Sequence, residues 1–301
     1  MQMWILGREA FENFKKANRQ LRELTLKTAE EECGKEYDHY QPWMSGYGHR
    51  KTLSDLQVVD SKDGFVLNSS DVEFLGKIFS SDQSRYFSQI FPQNDTWRVM
   101  NPHSSEFERY ISEIRNSYEF IQKYSPVTSM YLAESICHVV PLESASSEKS
   151  LRRDGSGFST QLYRGGIFLS LAERSPVSAF ENLLNLVHEM GHQILDVYLN
   201  SDFLIEEEDF QKTIYSVVRR TGRPAIMSIH ALMASAQMLQ FLNEAMPKLK
   251  EWVPEKYLTD RYLQMRDDVQ LGLGLMQSIR LSPLGRGIVE DILMESHREA
   301  I

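Results

Sequence analysis

The chain is poor in cysteine. It has two among 301 residues, Cys33 and Cys137, too few for a disulfide framework and in keeping with a reducing compartment. Long apolar runs are missing too: no stretch approaches the roughly 20 residues that a membrane helix needs. Basic runs stop at two residues, as at Arg219-Arg220, and 33 Lys+Arg against 42 Asp+Glu leave a net charge of −9. That balance argues against non-specific binding to nucleic acid. The first residues, Met1 to Leu6 followed by Gly7, Arg8 and Glu9, lack the basic start and long apolar core of a signal peptide. The expected setting is therefore cytoplasmic, with no membrane and no nucleic acid as partner. Internal repeats and low-complexity tracts are absent as well.

What is present is the composition of a globular protein, 42% hydrophobic and 25% charged, in a chain long enough to bury a sizeable core. Residues 8–33 read as a helix, with Phe11, Phe14, Leu21 and Leu24 among charged residues. Residues 38–70, rich in Gly, Pro, Ser and aromatics such as Tyr40, Trp43 and Tyr47, read as an ordered loop or a short lid. A second helix is expected over 105–124. Residues 127–141 carry strand formers and end at Pro141, and residues 159–171 read as a strand pair with Gly165-Gly166 at the turn. From residue 178 the chain reads as almost wholly helical. Ser178 and Glu181 form a capping-box pattern before an apolar stripe of Phe180, Leu183, Leu184, Val187, Ile194, Leu195 and Tyr198. Helices at about 226–246, 255–279 and 285–298 follow. With no clear linker, the expectation is one domain over 1–301, an N-terminal helical and loop part (1–125) leading into a core (126–301). Its class is α+β, mainly helical with a small sheet.

Residues 188–192 are His-Glu-Met-Gly-His. Histidines at i and i+4 of a helix stand one turn apart on nearly the same side, so both imidazoles can reach one metal ion. With Leu184 taken as zero, His188 falls at about 40° and His192 at about 80° around the axis, at the border of the apolar stripe. Glu189 projects from the same turn at another azimuth, the H-E-x-x-H arrangement in which a zinc metallopeptidase uses the carboxylate as general base. Gly191 suits either close helix packing or room for a substrate.

Two ligands need a third. A His at 198 preceded by Gly at 195 would be a known continuation, but the sequence has Leu195 and Tyr198. Glu206, Glu207 and Glu208 lie in a charge run that reads as a solvated turn, and Glu244 is far along the next helix. His230 is the better candidate, because Ala231, Ala234, Ser235 and Ala236 around it let two helices approach. Shortly before it stands Arg219-Arg220-Thr221-Gly222-Arg223-Pro224. An arginine beside a helix N-terminus can clamp a carboxylate, and Arg223 is placed for that; a basic turn facing solvent or the 206–209 acidic run is the alternative. Asp196 reads as a solvent-facing aspartate, with a role as acceptor to a ligand as the lesser reading. His49, His103 and His138 read as structural.

The ordered series Gly165-Gly166-Ile167-Phe168-Leu169, Leu186-Val187-His188-Glu189-Met190-Gly191-His192, Arg223-Pro224 and His230 resembles the HExxH-type peptide β-hydroxylases, 2-oxoglutarate-dependent enzymes that modify ribosomally made peptides. The likeness covers roughly residues 127–245. It implies an Fe(II) centre held by His188, His192 and His230, with Arg223, and Arg219 near it, as anchors for 2-oxoglutarate. The substrate it implies is a peptide or an amino-acid side chain, hydroxylated at the β-carbon. Glu189 would then orient a ligand or contact the substrate. The alternative remains a zinc metallopeptidase with Glu189 as general base. Ligand type alone does not choose between iron and zinc.

Overall fold

A computed structural model of the chain describes residues 6–38, 40–45, 67, 69–80, 97–144 and 155–297. The chain forms two compact units. One comprises Met1–Leu21, Phe120–Ser135 and Val187–Ile301, the other Arg22–Glu119 and Ile136–Leu186. The class is mainly helical α+β with two small sheets, as expected.

The second unit carries the larger sheet. Strands β1 (Trp97–Val99), β2 (His138–Ser144), β3 (Ser156–Ser159) and β4 (Gly166–Ser170) lie in the order β1-β2-β4-β3, with β2 and β4 parallel and the outer pairs antiparallel. All five residues of β4 are buried, and Phe158 stacks flat on its cross-strand partner Phe168 at 4.6 Å. Proline in an inner strand removes a ladder donor. Pro141 is tolerated because it stands where β2 changes neighbours: residues 138–141 pair with β4 and 142–144 with β1. The strand therefore runs on past Pro141 to Ser144.

Two local expectations are corrected here. Residues 126–135 are not a strand but a helix, Pro126–Ser135. Pro126 suits the first helical turn, and the Glu244 carboxylate accepts from the Val127 N–H at 3.2 Å and the Ser125 hydroxyl at 2.6 Å. That long-range cap outweighs the strand preference of Val127, Thr128 and Tyr131. Further on, the connection between β3 and β4 holds a 3₁₀ turn at Gln161–Tyr163 and Gly165 at φ 84°, so it is wider than a two-residue hairpin.

The first unit holds four helices whole, Pro126–Ser135, Ala225–Leu249, Glu255–Met276 and Pro283–Ser296, with parts of three more and a hairpin. We number the helices α1 (Gly7–Cys33), α2 (Ser69–Ser80), α3 (Ser105–Tyr124), α4 (Pro126–Ser135), α5 (Ser178–Leu199), α6 (Ala225–Leu249), α7 (Glu255–Met276) and α8 (Pro283–Ser296). The start of α5 does not use the Ser178–Glu181 capping box: the Ser178 hydroxyl donates back to the Ser175 carbonyl, and the Glu181 N–H donates to the Val177 carbonyl. Phe14 of α1, Tyr131 of α4 and Tyr198 of α5 gather into one aromatic cluster. Full burial of each such ring stabilises by roughly 2–3 kcal/mol.

Helix α6 is the centre of this unit. By length and composition it would cross a membrane, contrary to the expectation that no segment would, but 83% of its most apolar window is buried within the protein. It reads as a core helix. The stretch between α5 and α6 is not wholly helical as expected: β5 (Thr213–Ser216) and β6 (Thr221–Pro224) form a hairpin. Lys212 and Thr213 are exposed, while Ile214 and Ser216 are buried, the alternation of a half-buried strand. The aromatic loop lies mostly outside the described residues, His49 and Tyr47 included. Within it, the Tyr40 hydroxyl donates to the Arg164 carbonyl at 2.8 Å, and Pro42–Ser45 form a 3₁₀ turn.

Candidate metal centre

The site forms where α5 crosses α6. A Cβ placed on Gly191 would stand 2.8 Å from the Ala234 Cα, so only glycine allows the two backbones this close. His188 and His192 flank Gly191 on α5, and His230 lies one turn before Ala234 on α6. The crossing point therefore sets the spacing of all three imidazoles. Gly191 serves close packing, and the small residues of α6 meet it as the sequence implies.

The Nε2 atoms of His188 and His192 are 3.1 Å apart, with the rings nearly perpendicular. Two nitrogens on adjacent octahedral positions, with bonds of about 2.1 Å, stand about 3.0 Å apart; tetrahedral positions would put them at about 3.4 Å. At 3.1 Å the two rings hydrogen-bond each other, and the spacing lies within about 0.3 Å of either geometry of a shared ion. The His230 ring centre is 5.5 Å from that of His192. Among the described residues no three His, Cys, Asp or Glu groups already reach a common point, so His230 has to turn its side chain inward to complete a set.

Asp196 corrects its solvent-facing reading. It lies one turn past His192 and is 4% exposed, and its carboxylate is 3.7 Å from His230 Nε2. A carboxylate beside the outer nitrogen of an imidazole fixes the ring and strengthens it as a ligand. Glu189 is buried at 3% exposure on the same helix. The His192 Nδ1, also buried, has no hydrogen-bond partner among the described residues. A buried polar atom left so costs about 1–3 kcal/mol, a cost found where a site's function overrides packing.

Burial holds the imidazoles neutral. It pushes His188 down to about 4, aided by the positive charges of Arg219 and Arg261. It pushes His192 well below its ordinary value, with His188, His230, Arg219 and Arg223 adding to the effect. His230 is also lowered by burial, against the pull of Asp196. Neutral imidazoles bind metal without having to release a proton first. They also make the metal-free fold sensitive to acid. Between about 6.5, where an unfolded histidine titrates, and about 4, the unfolded chain takes up a proton that folded His188 refuses. Stability contributed by this group is complete above the unfolded value and lost as the pH falls through that window. Urea unfolding of the metal-free protein is expected to show a smaller difference between pH 7.5 and pH 5 in His188→Gln than in the parent chain.

The hairpin brings arginines to the same place. Arg223 pairs across β5–β6 with Ile214, and cross-strand partners share a face. Ile214 is buried, so Arg223 is carried inward, half-buried between exposed neighbours. At the turn, Arg220 adopts φ 55°, a conformation that costs a non-glycine residue roughly 1–2 kcal/mol. Its guanidinium bonds the Asp268 carboxylate of α7 at 2.7 and 3.0 Å, which holds the turn in place. Arg219 stands next to it. Arg261, one of the site residues that sequence reasoning missed, lies seven residues before Asp268 on α7. Seven residues return a helix to nearly the same side. That spacing was the available signal, but nothing in the sequence tied α7 to the histidines.

The other candidates stand elsewhere. Glu206 and Glu207 line a separate groove with Phe203 and Phe210. Glu244 caps α4 and accepts from Gln240. His103 is exposed 3.8 Å from Glu73, and His138 is buried beside the Tyr163 hydroxyl. No protein-family model matches the chain, and neither does any curated protein.

Proposed function

We propose that the chain is an Fe(II)- and 2-oxoglutarate-dependent hydroxylase acting on a peptide or amino-acid side chain. The observation that carries the reading is the half-buried imidazole pair with its Nε2 atoms 3.1 Å apart, with His230 beside it and the positive charge of Arg223 acting on His192. Held by three imidazoles, a divalent iron would keep room for a chelating 2-oxoacid and O₂. Bound there, iron with 2-oxoglutarate and O₂ supplies the oxidising power to convert a C–H to a C–OH, releasing succinate and CO₂. The chain's own residues hold and orient. His188, His192 and His230 would be the ligands, the last after its ring turns inward, with the Asp196 carboxylate beside it. Arg223 binds the distal carboxylate of 2-oxoglutarate as a charge-assisted pair, with Arg219 adding positive charge beside it. Glu189 contributes packing and orientation within α5.

The test is anaerobic titration with Fe(II) and 2-oxoglutarate, watched for the weak visible charge-transfer band of a chelated 2-oxoacid, followed by succinate formation in air. Arg223→Gln is expected to raise the 2-oxoglutarate requirement roughly 10- to 100-fold, the worth of one charge-assisted pair, with iron affinity unchanged. Glu189→Gln is expected to retain metal and most succinate formation. Peptide cleavage by the zinc-loaded chain that Glu189→Gln abolishes would support the metallopeptidase instead.

A further inference from the structure

The segment that follows α5 folds against the start of α8 and leaves a groove of about 800 Å³ between them, within the roughly 300–1,000 Å³ of sites that hold a ligand. Its walls are fixed by backbone pairing. Ile205 and Leu281 form an antiparallel bridge, the Glu206 N–H donates to the Arg280 carbonyl at 2.9 Å, and the Ser282 N–H donates to the Leu204 carbonyl at 3.1 Å. Leu204, Ile205, Leu281 and Ser282 are buried. Their neighbours in the chain face out. Phe203 is 72% exposed and Phe210 42%, and both line the groove. A single exposed apolar side chain needs no explanation, but two phenylalanines along one preformed groove make a surface suited to a partner.

The charge of the groove has one sign. Asp202, Glu206 and Glu207 line it, and no basic side chain among the described residues does. The nearby cations are taken up by other carboxylates: Arg280 stands 3.8 Å from Glu208, and Lys212 stands 3.9 Å from Asp209. Among the described residues Asp202, Glu206 and Glu207 enter no ion pair. The start of α8 offers little to an anion here. Pro283 has no N–H, and the Ser282 hydroxyl accepts from the Gly285 N–H at 3.0 Å. Three carboxylates in one concave surface focus cations. An arginine suits both kinds of lining, because its guanidinium pairs with carboxylates through two bonds and lies flat on aromatic faces.

We propose that this groove docks a basic peptide segment that carries arginine beside an apolar residue. Its guanidinium groups pair with the carboxylates of Asp202, Glu206 and Glu207, and the apolar neighbour covers Phe203 and Phe210. The inference goes beyond the hydroxylase reading and does not rest on it, because no residue of the groove belongs to the metal centre. Since the walls are already held by backbone bonds, little ordering is lost on binding.

The test is fluorescence anisotropy on the full chain without added metal. The probe is fluorescein-labelled Gly-Arg-Leu-Arg-Phe-Gly-amide, compared with the same peptide carrying citrulline, the neutral isostere, in place of arginine. The arginine peptide is expected to bind at least about tenfold more tightly, and to weaken as salt rises from about 50 to 500 mM. The double variant Glu206→Gln with Glu207→Gln should lose at least about tenfold in affinity, and Phe203→Ser at least about threefold. These three side chains are exposed, so thermal unfolding of the variants should match that of the parent chain. Spermine should displace the probe only at concentrations at least about tenfold above those of the unlabelled peptide. No saturable binding, equal affinity for the two peptides, or affinity unchanged in the double variant overturns the proposal. So does displacement by spermine as readily as by peptide, or affinity unchanged in Phe203→Ser, either of which would make the groove a site for cations alone. Neither Fe(II) nor 2-oxoglutarate enters the measurement, so failure of the groove and failure of the hydroxylase reading show separately.

Discussion

Replacing His188 with alanine is expected to weaken metal binding by roughly a thousandfold and to abolish metal-dependent turnover. Apparent binding energies for buried divalent ions run to about 10–16 kcal/mol. One of three ligands then carries roughly a third, or about 4 kcal/mol, which is about three powers of ten. The fold should survive the change. His188 is half-buried at the border of α5's apolar stripe, and its neutral form in the fold is a liability in acid. Metal affinity by competition with a chromophoric chelator, alongside thermal unfolding without metal, separates the two effects. A variant that binds metal as tightly as the parent chain would remove His188 from the site.

The second large effect is expected at Gly191. A Cβ there would meet the Ala234 Cα at 2.8 Å, with the Ala234 nitrogen and Gln237 Cγ next at 3.4 Å. Backbone does not yield as a flexible side chain does, so α5 and α6 must separate. Alanine in place of glycine stabilises a helix by about 1 kcal/mol, while overpacking a core costs typically about 1–3 kcal/mol. Contact with backbone places this position at the upper end, so Gly191→Ala is expected to be destabilising, and Gly191→Val more so. Gly274 supplies the opposite sign. It lies in α7, and a Cβ there meets nothing within 4 Å, so Gly274→Ala is expected to stabilise by a few tenths to about 1 kcal/mol. Because His230 lies one turn before Ala234, the Gly191 variants should also lose metal affinity out of proportion to stability. Chemical unfolding and metal competition measured on all three variants test this.

Local periodicity made much of this legible. The α5 stripe and the i, i+4 spacing of His188 and His192 lie within one helix, so the sequence places them without knowing anything distant. His230 was reachable because the small residues near it announce a close helix crossing, and Gly191 is the other half of that crossing. What escaped depends on partners far along the chain. Residues 126–135 carry strand formers, yet a carboxylate more than a hundred residues away caps them as a helix. The β5–β6 hairpin was hidden because its turn, residues 217–220, has no glycine or asparagine and ends in Arg220 at positive φ, bonded to Asp268 of α7. Asp196 lies between Leu195 and Val197, whose apolar character was the available sign of burial, and in space it stands beside His230 of α6. Arg261 joins the site only through the packing of α7, which no local pattern encodes.

The most direct test is the coordination of the ion itself, by anomalous diffraction from crystals of the full chain loaded anaerobically with Fe(II). One ion should lie at about 2.0–2.2 Å from Nε2 of both His188 and His192 and from a ring nitrogen of His230, with open positions toward Arg223. An ion bound to the α5 pair while the His230 ring stays turned away, or one completed by a carboxylate in its place, would contradict the account.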